Sequence, residues 1–435
     1  MRVPMVCVDP RLRQFASAFA DAFSRPQFRH FVTVLVALLL CRGSRTLTGL
    51  LRTVQGGGRL ASLSRFLSEA PWEATALAAA WRRRFDHQLT PHVARLHAEQ
   101  RAARPKRRGR PTASIVTGYL IGDDSTCHKR RGRKMAGLGR HSSTTERRAV
   151  VGHNLVQALS VAAGRRCPLM PQLDRQKASC DAAKQPLHSN VDLMEAPIRN
   201  VVPLSDTCTH VLLDAWYGAK RIWKAARDRG FTITTGLRAN RAIRVAETEA
   251  DGGWRWGDRA SSAAGLSAAD DQAVVWPHQE GAGRTVWVHT VTAIVRNRSR
   301  AQVLIVRNTL DGPANEVRFW ATSDVRATVA AAITHLAARW DIEALFADTK
   351  DLLGLDHYQM ITTTAIVRFW TLALAAYVYL DEERARLRQE RQRHVTIGDA
   401  QREVQCVHWA HLITWMQRQF RAGETTATLF RQLAA

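Results

Sequence analysis

The stretch TCTHVLLDAWYGAKRIWKAARDRG, residues 207–230, decides the fold. Its first half is a short apolar run, and its second half repeats apolar residues at the spacing of an amphipathic helix. A strand that leads directly into a helix predicts an α/β chain. Asp214 then stands at the strand's end, on the rim of a sheet where ligands reach it.

Upstream, SIVTGYLIGDDST (114–126) reads as a strand ending in an acidic pair, and VVGHNLVQALSVAA (150–163) as another apolar strand or strand pair. Downstream, from about 238 to 320, the β-prone runs WVHTVTAIVR, AQVLIVRN and EVRFWAT are separated by turn-rich pieces such as RNRSR and TLDGPANE. A structureless connection of that length is improbable in a compact domain, so the region reads as a β-rich insertion. TVAAAITHLAARWDIEALFADTKDLLGL (328–355) then predicts one strong helix, a second apolar helix spans roughly 362 to 385, and HWAHLITWMQRQF belongs to a smaller helical tail. The first hundred residues also read as helical, in RLRQFASAFADAFSR, HFVTVLVALLLCR and ATALAAAWRRRFDHQL. Gly56, Gly57 and Gly58 mark a turn before SLSRFLSEAPW.

The chain of 435 residues has room for about two or three structural units. Its 63 Lys and Arg against 38 Asp and Glu give a net charge of +25, which favours a polyanionic partner without choosing between DNA, RNA and an acidic membrane. The densest basic run, RAARPKRRGR (101–110), lies in a Pro and Gly context and reads as a linker able to follow phosphates. Seven cysteines, none in a C-x-x-C pair, argue against a zinc ribbon and a complete disulfide framework, and point to a reducing compartment. FVTVLVALLLC (31–41) is too short for a membrane span and reads as a buried helix.

Three carboxylates stand out. Asp123 and Asp214 each follow an apolar strand, and Glu343 lies on the long helix with Arg339 four residues before it and Phe346 and Lys350 on the same face. Packed together, such acids would suit a hard divalent cation such as Mg²⁺, which prefers oxygen ligands. Asp124 competes with Asp123 for the first position. Successive strand side chains point to opposite faces, so the two are not equivalent, and Asp123 is the better placed. His153 reads as local packing or as an orienting partner of Asp123, while His128 and His141 are too isolated to establish a site. Asp206 reads as a turn residue, and Lys129, Arg130, Arg131, Arg133 and Lys134 form a second basic cluster. Trp254, Trp256, Trp276 and Trp287 read individually as core, with stacking on a base as the alternative.

At the level of motifs, IGDDSTCHKRRG, VVGHNLVQALSV, HVLLDAWYGAKRI and RWDIEALFADTKDLLGLDHY resemble, in order, those of bacterial DDE transposases of the IS4 and IS701 families. The likeness covers about residues 25 to 385. It implies an α/β fold with a ribonuclease-H-like catalytic core, a β-rich insertion and a helical N-terminal DNA-binding region. The corresponding boundaries are 1–100 for the helical region, 101–112 for the linker, 113–237 for the first part of the core, 238–322 for the insertion, 323–390 for the helical remainder and 391–435 for the tail. It further implies Asp123, Asp214 and Glu343 as catalytic metal ligands for about two Mg²⁺ ions, with Mn²⁺ as a substitute. Arg107, Arg108, Lys129, Arg130, Arg131, Arg339 and Lys350 are the expected DNA contacts. The implied partners are double-stranded DNA, terminal inverted repeats and target DNA, met by a homodimer in the bacterial cytoplasm at the nucleoid, with no membrane. Leu336 departs from the pattern, which carries tyrosine seven residues before the glutamate. A nuclease without strand transfer and an inactive DNA-binding regulator are the competing readings, and intact acids at all three positions favour an enzyme.

Overall fold

The computed structural model describes residues 3–4, 8–102, 116–130, 132, 134–143, 146–182, 184–248, 254–260, 271–277, 283–295, 300–310 and 316–434. The linker arginines Arg107 and Arg108, together with Arg131 and Arg133, lie outside them, as do the side chains of Trp254 and Trp256.

The N-terminal part is helical: α1 (Pro10–Ser17), α2 (Arg25–Leu40), α3 (Leu47–Thr53), α4 (Leu60–Ser68) and α5 (Ala74–Ala102), with two-residue strands β1 (Val3–Pro4) and β2 (Val54–Gln55) paired in parallel. Local chemistry sets the helix starts. Asp9 accepts the Arg11 N–H ahead of Pro10, and Ser24 forms a capping box with Gln27 at the start of α2. The apolar run 31–41 lies largely within α2, and its residues from Val34 to Leu39 are buried.

Next come β3 (Val116–His128), β4 (Gly139–Ser143), β5 (Arg148–Ala162), β6 (Arg165–Pro168), β7 (Gln172–Asp174), α6 (Lys177–Ala182), α7 (Asn190–Asn200), β8 (Thr207–Leu213), α8 (Lys220–Asp228) and β9 (Thr232–Leu237). The β-rich run supplies β10 (Ala242–Thr248), β11 (Trp254–Ala260), β12 (Gln272–Trp276), β13 (Arg284–Val295), β14 (Arg300–Arg307) and β15 (Arg318–Thr322). The chain closes with α9 (Val329–Ala338), α10 (Trp340–Leu353), α11 (Thr363–Arg391), α12 (Ile397–Arg421) and α13 (Thr426–Ala434).

These strands build one mixed sheet in the order β11-β10-β13-β14-β15-β9-β8-β3-β5-β4, with β6 and β7 on β5 and β12 on β13. At its centre β8 runs parallel to both β3 and β9, whereas β5 runs antiparallel to β3. The run from 242 to 322 extends this sheet, because β15 pairs with β9.

Strand alternation divides the buried residues of β3 and β8 between two of the cores. Ile121 and Cys127 of β3 and Leu212 of β8 join the core formed with the N-terminal helices, α10 and α11. Leu120 of β3 and Val211 and Leu213 of β8 join the core that holds Met194 and Ile198 of α7 and Ile222 and Trp223 of α8.

Three expected boundaries shift. The strand containing the acidic pair continues to His128, so Asp123 and Asp124 lie within it. The long helix divides at Arg339, where hydrogen bonds tighten to the i to i−3 type, Arg339 N–H to Leu336 and Ile342 N–H to Arg339. The apolar helix expected to end near 385 continues to Arg391 as α11. By length and composition α11 could cross a membrane, but most of its apolar stretch is buried inside this structure.

A buried ionic cluster joins α10 and α11 to the sheet. Asp381, fully buried on α11, accepts hydrogen bonds from Arg165 Nε (2.6 Å), the Arg166 N–H (3.2 Å) and Arg384 Nη2 (2.6 Å). Arg166 in turn bonds Asp341 at the start of α10 through Nη2 (2.5 Å). Removing one member of such a cluster leaves the others charged and unpaired in the interior. Urea unfolding of Asp381→Ala should therefore show a loss of about 3–5 kcal/mol relative to the parent protein. A loss below about 1 kcal/mol, the scale of an exposed ion pair, would contradict that reading.

Candidate active site

The register of β3 against β8 brings two acids together. Gly122 is level with Leu213 in a parallel pair, so the next residues along the two strands are Asp123 and Asp214. Asp214 falls one residue beyond the end of β8, at the strand-to-helix turn. Its Oδ1 accepts the backbone N–H groups of Trp216 (2.9 Å) and Tyr217 (3.3 Å), which fixes the carboxylate over the turn. The turn lies close against β9, since a Cβ on Gly236 would come within 2.7 Å of the Ala215 nitrogen.

Glu343 reaches the pair through Arg339. The guanidinium bonds Asp123 Oδ2 through Nη1 (3.4 Å) and Glu343 Oε1 through Nη2, and lies 5.8 Å from the Trp320 ring centre. Lys350, two turns further along α10, donates to Ser125 Oγ (2.8 Å) and the Thr126 carbonyl (3.1 Å) of β3. Thus α10 is tied to β3 at two levels. Its residues Ile342, Leu345 and Phe346 are buried beneath.

The electrostatics are those of acids crowded together and partly withdrawn from water. Burial, and then the neighbouring Asp214 carboxylate, push the Asp123 carboxyl up to about 7, against the opposing pull of Arg339. Burial also raises Asp214, opposed by the Tyr217 and Trp216 N–H groups and reinforced by the nearby Asp124 charge. Among the described residues no three His, Cys, Asp or Glu side chains are close enough to enclose a metal ion by themselves. The oxygen donors of Asp123, Asp214 and Glu343 are nevertheless of the kind a hard divalent cation prefers. In this structure Arg339 supplies the positive charge that Asp123 and Glu343 share.

The remaining sequence candidates separate clearly. Lys129 directs its ammonium inward, to the carbonyls of Asp356 (2.5 Å) and Tyr358 (2.8 Å) and over the Tyr358 ring, and burial lowers it to about 8. Arg130 and Lys134 are exposed beside it, on a cleft of about 1020 Å³ also lined by His128 and His357. His153 bonds the Tyr358 hydroxyl (2.8 Å) and the Ala136 carbonyl (2.9 Å), which is packing and not contact with Asp123. His128 pairs with Glu146 at 2.6 Å. Asp206 adopts a left-handed turn conformation before β8. Leu336, where the resembled pattern has tyrosine, is buried in the cluster that packs α9 against β13 and β14. Trp276 and Trp287 are half-buried.

Sequence reasoning passed over Trp216, two residues after Asp214, and Trp340, next to Arg339, which are 59% and 61% exposed. The available signal was at Trp340, which lies between Arg339 and Asp341. It also missed Tyr217, whose hydroxyl donates to Asp124 Oδ1 (2.9 Å).

Asp123 gives the apo-protein a pH signature. Its carboxyl is held at about 7 in the folded chain against an ordinary 3.8, so between these values the folded state binds the extra proton. The contribution is complete below the ordinary value and disappears as pH rises through the folded one. Thermal melts in chelator should show stability falling over that window, with a shallower fall in Asp123→Asn. Identical slopes in the two proteins would refute the assignment of that proton to Asp123.

Residues 18–300 match the family model described as DDE superfamily endonuclease. The matched span contains Asp123 and Asp214 and ends before Glu343. No curated protein matches the chain.

Proposed function

The chain belongs to the DDE superfamily of endonucleases, and from that premise we propose that it is a transposase, of the kind found in the IS4 and IS701 families, that cuts insertion-sequence ends and joins them to target DNA. The observation that carries this reading is that the central strands β3 and β8 bring Asp123 and Asp214 side by side, with Glu343 joined to Asp123 through Arg339. The central order β5-β3-β8-β9, antiparallel once and then parallel twice, supports a ribonuclease-H-like core under them. On this view the helices before residue 101 hold DNA ends and the strands from 242 to 322 are an elaboration of the core.

Asp123, Asp214 and Glu343 would hold Mg²⁺, or Mn²⁺ in its place, since their all-oxygen donor set suits a pair of hard divalent ions. When bound, such ions activate an attacking water or 3′-hydroxyl and stabilise the leaving oxygen of a phosphodiester. The chain's own groups do the positioning. Trp216 and Tyr217 N–H groups orient Asp214, and Lys350 fixes α10 against β3. Arg339 is poised to exchange its carboxylate partners for a phosphate, to which guanidinium groups bind well. Arg130 and Lys134 line a cleft at the end of β3, along which a phosphate backbone can continue. Cleavage and joining at two ends calls for two copies of the chain, acting on DNA in the bacterial cytoplasm.

The test is cleavage and joining of duplexes carrying the DNA that flanks the protein's own gene, with Mg²⁺ or Mn²⁺. Asp123→Asn, Asp214→Asn and Glu343→Gln should each lower both reactions by on the order of 100-fold or more, the scale of losing a principal electrostatic group. Undiminished activity in all three would refute the site. Cleavage without joining favours a nuclease, and assembly on DNA without cleavage favours a regulator.

A further inference from the structure

We propose that Asp124 is not another acid of the reacting site but the anchor of a brace through which Tyr217 sets the position of Asp214. The inference rests on the proposed function, since it concerns the same acids. The two aspartates of β3 face opposite ways. Asp123 points toward Arg339 at the start of α10, whereas Asp124 shares its face with Leu120 and Gly122, where α7 and α8 pack.

Both oxygens of Asp124 are engaged. Oδ1 accepts the Tyr217 hydroxyl (2.9 Å), and Oδ2 accepts Asn154 Nδ2 (2.9 Å) from the adjoining β5. Asn154 is itself buried and receives the Thr126 hydroxyl at 3.4 Å. The carboxylate is therefore held by β5 on one side and by the β8–α8 turn on the other.

Tyr217 is the link. Its side chain is fully buried in the same core as Met194, Ile222 and Trp223, and its backbone N–H donates to Asp214 Oδ1. One residue thus bonds the neighbour of Asp123 with its hydroxyl and Asp214 with its backbone. This matters because the paired register of β3 and β8 ends at Gly122 and Leu213. Asp214 lies just past it, where the ladder no longer fixes its distance from Asp123. The Tyr217 brace spans that gap.

Variants in the cleavage assay separate an anchor from a ligand. Asp124→Asn keeps an oxygen to receive the Tyr217 hydroxyl, provided the Asn154 amide turns over, and should retain activity within about tenfold of the parent, a single neutral hydrogen bond's worth. Tyr217→Phe and Asp124→Ala should each fall by about 10- to 100-fold, the range for a hydrogen bond to a charged group. Their double variant should fall no further than the worse single, because both remove one interaction. Calorimetric Mn²⁺ binding should weaken in Tyr217→Phe even at temperatures well below its melting transition, a pattern that a merely less stable fold does not give.

A collapse of Asp124→Asn to the level of Asp123→Asn would overturn the proposal and make Asp124 a ligand. So would a Tyr217→Phe protein with parental activity and Mn²⁺ affinity. Should Asp124→Ala fail to fold, Asp124→Asn and Tyr217→Phe decide the matter. Full activity in Asp123→Asn and Asp214→Asn would refute the reacting site itself and the brace with it, whereas their inactivity beside a parental Tyr217→Phe refutes the brace alone.

Discussion

The parallel register of β3 against β8 is the constraint on which the site depends. It pairs Gly122 with Leu213, and a slip of one residue would turn every side chain of the strand to the opposite face. Packing on both faces prevents the slip. Ile121 and Cys127 fill the core beneath α10 and α11, and Leu120 fills the core beneath α7 and α8. Gly122 contributes by what it lacks, because a Cβ there would come within 2.3 Å of the Met194 sulfur and 2.7 Å of Leu213 Cδ2. The location of the two acids is thus a consequence of the packing of the residues that lead into them on each strand.

Burying these acids, and setting them near other carboxylates, has an electrostatic cost, visible in the upward displacement of Asp123 and Asp214. The fold offsets it with a cation on a different element. Arg339 stands at the junction of α9 and α10, and that junction is held from several sides. Leu336 is packed against β13 and β14, Arg166 bonds Asp341, and Lys350 bonds β3. Glu343 lies between the last two anchors. Its approach to the aspartates is therefore decided by the buried charge cluster and the helix packing, and not by its own contacts alone.

These dependencies explain which features could be read from the chain. The strand and helix around Asp214 were legible because an apolar run followed by an amphipathic repeat is local information. The continuation of β3 past Asp123 was not, since Ser125 and Thr126 break the apolar pattern in order to meet Lys350 and Asn154. The β-prone character of residues 242–322 was readable, but not their joining of the central sheet, because the pairing of β15 with β9 is a choice between distant partners. Composition likewise showed Lys129 as basic. Only the tertiary structure shows its ammonium turned inward over Tyr358.

The family match ends before α9, so the physical tie between the matched part and Glu343 carries particular weight. Two opposed fields meet at that tie. A net charge of +25 favours a polyanion as partner of the protein as a whole, whereas Asp123, Asp214 and Glu343 are a local group of acids that disfavours phosphate. Arg339 offsets part of that charge from between Asp123 and Glu343, and Arg130 and Lys134 are exposed on a cleft at the end of the same strand. Under the proposed function, long-range attraction brings DNA to this face and cations beside the acids determine whether a phosphate approaches them. The acids are then part of the discrimination as well as of the chemistry, because a phosphate is admitted only where positive charge has been assembled to meet it.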